Sequence, residues 1–280
     1  MKEPWFFSPL AKYESLIIRT FTPPNIKMRF MQLTYIFHSG FAVETSRCIL
    51  VFDYWMDPAA VMPRLLKSSK PLYIFSSHFH EDHFCRDIFS WKTMKPDVRY
   101  ILSKDILKHR RAQKEEADVW LAKGGTWHDD LLSVTATGST DSGVSWVIET
   151  EGRYIFHAGD LNNWYARFLT DDYHGGLVHS PEFGIDINPA REEKMYLGEL
   201  KDIRKITDHF SLAMFPVDGR IGNGYTRGPR QFIDQFRVDL FVPMHFVASG
   251  FESAWRMKEF TEGKDIRFWS ISCEGDTTDW

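Results

Sequence analysis

The chain has 280 residues and a formal net charge of -4, from 34 Lys and Arg against 38 Asp and Glu, so it shows no electrostatic footprint for binding nucleic acid. Its three cysteines lack CxxC spacing, which argues against a disulfide framework or a thiolate zinc site and favours a reducing compartment. No apolar run reaches membrane-spanning length and the first thirty residues lack a secretory signal pattern, so we expect a cytoplasmic protein with no membrane partner.

The first thirty residues differ from the rest of the chain. They contain Pro4, Pro9, Pro23 and Pro24, scattered aromatic residues and no sustained hydrophobic period. We therefore predict an N-terminal extension over residues 1–30 and a single domain over residues 31–280, a length that can bury a substantial core.

Short apolar and β-branched runs predict the strands of the first half. Strands are expected at residues 31–37, 41–44, 48–52, 71–76, 118–121, 131–137, 144–149 and 153–156. The turn Glu151-Gly152 joins the last two as a hairpin. Asp57-Pro58 predicts a short helix over residues 59–66, and another helix is expected to begin at Ser103.

The second half begins with an irregular segment. Residues 161–209 have a helical pattern only over about 190–206, and we interpret them as an insertion over an active site. Strands are then expected at residues 212–217, 239–243 and 266–269, alternating with helices at 228–236 and 252–260. This order predicts an α/β protein with sheets inside and helices outside.

The segment Ser77-His78-Phe79-His80-Glu81-Asp82-His83 combines three imidazoles with carboxylates directly after an apolar run. His78 and His80 alternate by two, so an extended segment points both the same way, whereas Asp82 and His83 follow where the chain turns. Neutral imidazole and carboxylate are the ligands that suit zinc and its first-row neighbours. We therefore predict a metal site here, in preference to a solvated histidine-rich turn.

Three more candidate residues lie at the ends of predicted strands. Asp53 follows the run 48–52, Asp160 follows the run 153–156 and His245 follows the run 239–243. Taken alone, turn aspartates and surface histidines are more common than ligands. Taken with the cluster, Asp160 and His245 are predicted metal ligands. Asp53 is expected to hold a ligand imidazole by its other nitrogen, with an ordinary strand-end aspartate as the alternative.

The residues His78-x-His80-x-Asp82-His83 meet the HxHxDH signature of the metallo-β-lactamase-fold hydrolases, which this chain resembles over about residues 31–280. The resemblance extends in order to Asp53, Asp160 and His245. The segments 155–160 and 242–245 are most similar to the branch that includes L-ascorbate-6-phosphate lactonase. This resemblance implies a four-layer αββα sandwich and two divalent metal ions, with zinc expected and manganese or iron as alternatives.

The resemblance also implies which residues hold each ion. The first ion is expected on His78 and His80, the second on Asp82, His83 and His245, with Asp160 bridging. The family usually adds a histidine to the first ion from the loop that is here 137–143, but this loop contains none. Asp141 is the candidate substitute because it is the only side chain in the loop ionised at neutral pH. A turn-forming aspartate is an equally good interpretation.

These features predict a metal-dependent hydrolase. Two divalent ions can share a water, lower its pKa and polarise an electrophile, so we expect a metal-bridged hydroxide to attack an ester, lactone, amide or phosphodiester bond in a small molecule. Asp82 is expected to orient the hydroxide and to accept its proton. The alternatives are a metal-binding protein of this fold without turnover and a phosphodiesterase or nuclease, although no basic stretch supplies an RNA-binding arm. A flavodiiron-type oxidoreductase is disfavoured because His80 is intact.

A few residues keep two interpretations. Arg220 could meet an anionic substrate, although a surface salt bridge is the preferred interpretation. His38 could lie near the site, although a satisfied structural histidine is the preferred interpretation, and His157 is interpreted as structural. Cys85 could be a nucleophile, although a buried small hydrophobe is preferred. Trp164 and Tyr165 could line a pocket or pack in the core. Association into a homo-oligomer is left open.

Overall fold

The computed structural model describes residue 1, residues 31–181 and residues 184–280. The predicted N-terminal extension, apart from Met1, lies outside the described residues. The extension and the single-domain boundary at residue 31 therefore stay predictions.

Two seven-stranded sheets form the body of the structure. The first contains β1 (Gln32–Phe37), β2 (Gly40–Glu44), β3 (Ile49–Phe52), β4 (Leu72–Ser76), β5 (Arg99–Ser103), β6 (Val119–Leu121) and β16 (Thr277–Asp279). Its strand order is β16-β1-β2-β3-β4-β5-β6. The strands from β16 to β3 pair antiparallel and those from β3 to β6 pair parallel. Every residue of β3 and β4 is buried, as expected for strands covered on both faces.

The second sheet repeats this mixture of pairings. It contains β7 (Thr126–His128), β8 (Leu132–Thr137), β9 (Ser145–Thr150), β10 (Arg153–His157), β13 (His209–Pro216), β14 (Arg237–Met244) and β15 (Arg267–Phe268). Its order is β15-β14-β13-β10-β9-β8-β7, with antiparallel pairs from β7 to β10 and parallel pairs from β10 to β15. A separate two-stranded ribbon is formed by β11 (Val178–Ser180) and β12 (Ile185–Ile187).

Six α-helices connect these strands within the described residues: α1 (Met62–Leu66), α2 (Lys104–Lys108), α3 (Pro189–Arg204), α4 (Arg227–Ile233), α5 (Phe251–Trp255) and α6 (Lys258–Thr261). Short 3₁₀ helices lie at Arg86–Thr93, Lys114–Glu116, Ala166–Phe168 and Gly219–Ile221. In the part of the chain that the structure describes, no helix combines the length and the apolar character needed to cross a membrane.

The alternation of side chains along the first sheet divides the core into two. Leu50 and Phe52 of β3 pack between the two sheets, whereas Ile49 and Val51 pack on the opposite face, against α1 and α2. The outer face of the second sheet is covered by α3 and α4, whose buried side chains join the larger core cluster. The layers are therefore helix, sheet, sheet and helix, which confirms the predicted αββα sandwich.

The differences from the predicted elements have local causes. The helix expected from residue 59 begins at Met62, because Ala60 is left-handed at φ 54° and the Asp57 carboxylate accepts the backbone N–H groups of Val61 and Met62. The helix expected over residues 252–260 is two short helices, since the backbone tightens at Met257 as its side chain enters the core. The strands β5, β7, β11, β12 and β16 were not predicted. β16 is polar and is a strand because β1 supplies its partner from the other end of the described domain.

Candidate metal centre

The predicted cluster lies where strand ends from both sheets meet. The segment 77–83 follows β4 and Asp53 follows the neighbouring parallel strand β3. Asp160 follows β10 and His245 follows β14 in the second sheet. The carboxyl ends of parallel strands share one edge of a sheet, which is where ligand sites of α/β proteins form.

Asp160 is the centre of this arrangement. Its Oδ2 atom lies 3.4 Å from His78 Nε2, and its Oδ1 atom lies 3.2 Å from His83 Nε2 and 3.3 Å from His245 Nε2. Its side chain is only 7% exposed, so a carboxylate and three imidazoles share a nearly dry space. The two oxygens of Asp160 thus face two different groups of side chains, as expected of a bridging carboxylate.

The first group contains His78, His80, Asp141 and Asp160, whose potential ligand atoms all lie within 4.8 Å of one another. His78 Nε2 is 2.9 Å from His80 Nδ1, which is 3.8 Å from Asp141 Oδ2. The side chain of His78 is fully buried, whereas those of His80 and Asp141 are 40% and 47% exposed. This group therefore opens to solvent on the side of Asp141.

The second group contains His38, Asp82, His83 and His245, again within 4.8 Å. His38 Nε2 is 3.3 Å from Asp82 Oδ2, and His83 Nε2 is 4.0 Å from Asp82 Oδ1. The three imidazoles are buried and Asp82 is 34% exposed. His38 lies at the site, which was the less preferred of its two interpretations. The preferred interpretation, a satisfied structural histidine, is wrong, because both ring nitrogens are buried without a hydrogen-bond partner among the described residues.

His78, His83 and His245 each have a polar partner at Nδ1, the ring nitrogen that points away from Asp160. The partner is a carboxylate for two of them and a hydroxyl for the third. Asp53 Oδ2 lies 2.7 Å from His83 Nδ1 and accepts the Ser77 hydroxyl at 2.6 Å. Since that hydroxyl donates to Asp53, its oxygen is free to accept from His78 Nδ1 at 2.9 Å. Asp218 Oδ2 lies 2.9 Å from His245 Nδ1. We assign the proton of all three rings to Nδ1, which leaves each Nε2 lone pair directed at Asp160.

Burial sets the charges of the site. It is the main cause that lowers the pKa of His78, His83 and His245, so these imidazoles are neutral, the form that binds metals. Burial and the neighbouring carboxylates raise the pKa of Asp160 well above its usual range. A buried carboxylate among neutral imidazoles is costly unless a cation compensates it.

The donor set fits divalent metal ions. Four buried atoms at this place, Nδ1 and Nε2 of His38, His83 Nε2 and Asp160 Oδ1, have no hydrogen-bond partner among the described residues. Tetrahedral bonds of about 2.0–2.1 Å separate neighbouring ligand atoms by about 3.3 Å, which matches the separations of 3.2–3.4 Å around Asp160. The mixture of imidazole and carboxylate suits zinc, manganese and iron.

Asp218 is a site residue that sequence reasoning missed. It lies two residues after β13, whereas Asp53 directly follows β3, and this position near a strand end was the available signal. Its buried carboxylate also accepts Arg220 Nε and Nη2, at 2.9 and 2.6 Å. The preferred salt-bridge interpretation of Arg220 is therefore confirmed, although its partner is a buried residue of the site. The Arg220 side chain itself is 53% exposed.

Other candidates surround the site without entering either group. His157 is buried and its Nε2 lies 2.9 Å from the Ser39 carbonyl, as a structural histidine should. Trp164 donates its indole N–H to the Asp160 carbonyl and places its ring 5.6 Å from that of His245. Trp55 lies edge-on to His38 at 5.8 Å. Cys85 is only half-buried, and burial raises the pKa of its thiol, so it is not an activated nucleophile.

Comparison with known proteins agrees with this geometry. The chain is 26% identical over 225 residues to a UPF0173 metal-dependent hydrolase from Symbiobacterium thermophilum, covering 77% of this chain and 84% of the relative. A UPF0173 metal-dependent hydrolase from Pyrobaculum arsenaticum is 24% identical over 223 residues, with the same coverage. No family model matches the chain.

Solved structures show the same fold. Igni18, a metallo hydrolase from Ignicoccus hospitalis, superposes with a TM-score of 0.62 at 17% identity, covering 90% of this chain and 98% of that chain. The metallo-β-lactamase fold protein YhfI from Bacillus subtilis gives a TM-score of 0.56 at 12% identity, covering 90% and 100%. The chain therefore has the metallo-β-lactamase fold, and its sequence is similar to those of metal-dependent hydrolases. The narrower resemblance to the lactonase branch stays a prediction.

Proposed function

We propose that this enzyme hydrolyses an ester, lactone, amide or phosphodiester bond of a small molecule with two divalent metal ions held at Asp160. The observation that supports this proposal is the Asp160 carboxylate, whose two oxygens face separate groups of imidazole nitrogens. His78, His80 and Asp141 would complete the first site, and Asp82, His83 and His245 the second. When bound, such ions supply a water of lowered pKa and polarise the electrophile.

Asp82 is the residue best placed for proton transfer. The Asp82 side chain is 34% exposed, whereas that of Asp160 is nearly buried. Asp82 can therefore contact both an incoming water and the leaving group. Its Oδ2 atom faces His38 and its Oδ1 atom faces His83, which fixes the carboxylate plane. Asp82 would accept a proton from the attacking water and return it to the leaving group.

The position of Arg220 supports the proposal that the substrate is anionic. Its guanidinium uses Nε and Nη2 for Asp218, and half of the side chain is exposed beside the second group. Asp218 fixes the orientation of the guanidinium. Arg220 can therefore bind a carboxylate or phosphate without a large loss of side-chain entropy. We therefore propose that the substrate carries a negative charge near the bond that is cleaved.

Zinc is the metal we propose first, because imidazole donors dominate the second group. Asp141 would make the first site richer in oxygen and more tolerant of manganese or iron. A cytoplasmic location is a further proposal, and the resemblance to the lactonase branch is the reason to test lactones first.

The test measures metal content and turnover together. Protein prepared without chelators is expected to contain close to two ions per chain by mass spectrometry and to hydrolyse at least one member of a panel of lactones, esters, amides and phosphodiesters. Asp160→Ala should lose metal and activity. Two ions without turnover on the whole panel would favour a non-catalytic metal-binding protein, and less than one ion per chain would overturn the dinuclear site.

The substrate charge is tested with Arg220→Gln. For a substrate that carries an anionic group, this variant should raise KM by about tenfold or more, because a charge-assisted hydrogen bond contributes about 1.5–3 kcal/mol. For an uncharged ester of the same leaving group, KM should stay near that of the parent. Equal changes for both substrates would contradict an anion-binding role.

A further inference from the structure

The backbone around His38 brings its ring into the second group. His38 follows the last residue of β1 and is left-handed at φ 55°, an uncommon conformation for a residue with a side chain. Its N–H donates to the Tyr35 hydroxyl at 2.8 Å, and its carbonyl accepts the His245 N–H at 3.2 Å. His245 is also left-handed, at φ 63°. Two strained positions, one from each sheet, are thus joined directly.

Strain at a buried polar residue usually has a functional reason. The His38 ring is buried, and its centroid lies 4.2 Å from that of His245 and 5.6 Å from that of His83. Its Nε2 atom is 3.3 Å from Asp82 Oδ2, the same spacing as the other pairs around Asp160. Neither ring nitrogen makes a hydrogen bond to any described residue.

We propose that His38 is an additional imidazole ligand of the second metal site. The second ion would then be held by three imidazoles, from His38, His83 and His245, together with Asp82 and the bridging Asp160. This inference rests on the proposed function, because it requires that the second group binds a metal. It differs from a purely structural His38, which would have its ring nitrogens paired with protein groups, as those of His157 are.

A metal bond and a hydrogen bond to Asp82 are the two roles open to the His38 Nε2 atom. Either one would engage Nε2 and leave Nδ1 buried without a partner among the described residues. A metal bond is favoured because the ligand atoms of His38, Asp82, His83 and His245 all lie within 4.8 Å of one another. The second site would be richer in nitrogen than the first, and this favours zinc or cobalt over magnesium or calcium.

The test uses His38→Ala and His38→Asn. Asparagine keeps a side-chain N–H for Asp82 but is a poor ligand for zinc, so it separates the two roles. Zinc affinity is measured by competition with a chromophoric chelator, and visible absorption is recorded after loading with Co²⁺. Both variants are expected to bind one of the two zinc ions about 10–100-fold more weakly and to change the cobalt spectrum. His109→Ala is the control, since His109 stacks on Phe79 outside both groups.

Several outcomes would overturn the inference. Parent-like zinc affinity and cobalt spectrum in both variants would exclude a ligand role. Parent-like behaviour of His38→Asn together with weak binding by His38→Ala would indicate a hydrogen bond to Asp82 instead. Far-UV circular dichroism of each variant identifies a loss of fold, and the Co²⁺ spectrum of the folded variant then decides. If the parent itself binds no zinc, the proposed function fails, and the parent titration shows this separately.

Discussion

The two groups of ligands share Asp160 but differ in how the protein supports them. In the second group, His83 and His245 are buried, and each is held at Nδ1 by a carboxylate from a strand end, Asp53 or Asp218. In the first group only His78 has such support, through Ser77, while His80 and Asp141 are about half exposed. The comparison suggests a rigid second site that retains its ion and an open first site that exchanges its ion and admits substrate.

The largest effect is expected from Gly143→Ala, which disturbs the loop that carries Asp141. Gly143 is left-handed at φ 66°, and a Cβ there would lie 2.0 Å from the Ser77 carbonyl oxygen and 2.5 Å from His78 Cβ. Overpacking and the left-handed conformation together should cost about 2–5 kcal/mol of unfolding free energy. Denaturant unfolding of the metal-loaded protein measures this change.

Gly152→Ala is the matched control for that prediction. Gly152 is also left-handed, at φ 74°, but nothing lies within 4 Å of a Cβ placed there. Gly152→Ala should lower the unfolding free energy by only about 1–2 kcal/mol, because only the backbone conformation is strained. Equal losses in the two variants would show that close packing against the metal segment is unimportant.

Asp53→Ala should have the next largest effect on the unfolding free energy. It should also weaken metal binding by both groups. The carboxylate accepts the Ser77 N–H and hydroxyl and the His83 Nδ1 proton, so its removal leaves buried donors unpaired. We expect a loss of about 2–4 kcal/mol in unfolding free energy and weaker binding of both ions. Calorimetric zinc titration and denaturant unfolding measure the two effects.

Asp129→Ala provides the comparison for Asp53. Asp129 also accepts three hydrogen bonds, from the Tyr73 hydroxyl and two backbone N–H groups, but takes no part in either metal group. It should lower stability without altering zinc affinity. A parent-like zinc titration for Asp53→Ala would contradict the support assigned to Asp53.

Asp218→Asn tests the second group alone. The amide offers either an N–H toward His245 Nδ1 or one weaker acceptor, so the tautomer is held less firmly. Loss of such a partner usually weakens metal binding by about 10–100-fold. Asp239→Asn is the control, because Asp239 makes a similar 2.7 Å contact with the exposed His209. If one zinc ion is not weakened in Asp218→Asn, the proposed rigidity of the second site is wrong.

Asp141→Ala should give the smallest effect. Its carboxylate is 47% exposed and lies 3.8 Å from His80 Nδ1, so it is the least constrained of the predicted ligands. We expect about a tenfold loss in affinity for one ion, at the low end of supporting residues. Mass spectrometry of the variant and of Glu81→Ala, an exposed acid of the segment 77–83, measures metal content. Equal metal content in Asp141→Ala and the parent would leave Asp141 as a turn former.

Much of the fold followed from local patterns. The apolar runs before Asp53, Ser77 and His245 are buried strands, and each predicted strand end carries the side chain that reaches the site. The short helices were predicted less well, because α5 and α6 depend on where Met257 enters the core. The segments β5, β7 and β16 are strands because neighbouring strands pair with them. Sequence periodicity does not show such pairing.

By itself, the sequence determined the chemistry of the site, because the types of ligand and their positions after apolar runs are local properties of the chain. Only the tertiary structure decided which nitrogen of each ring faces Asp160, because the acceptors come from distant segments: Asp53 for His83 and Asp218 for His245. The place of His38 was likewise decided only by the tertiary structure. Its place in the second group depends on a left-handed backbone and on a hydrogen bond between the ends of two sheets, and neither leaves a pattern in the sequence.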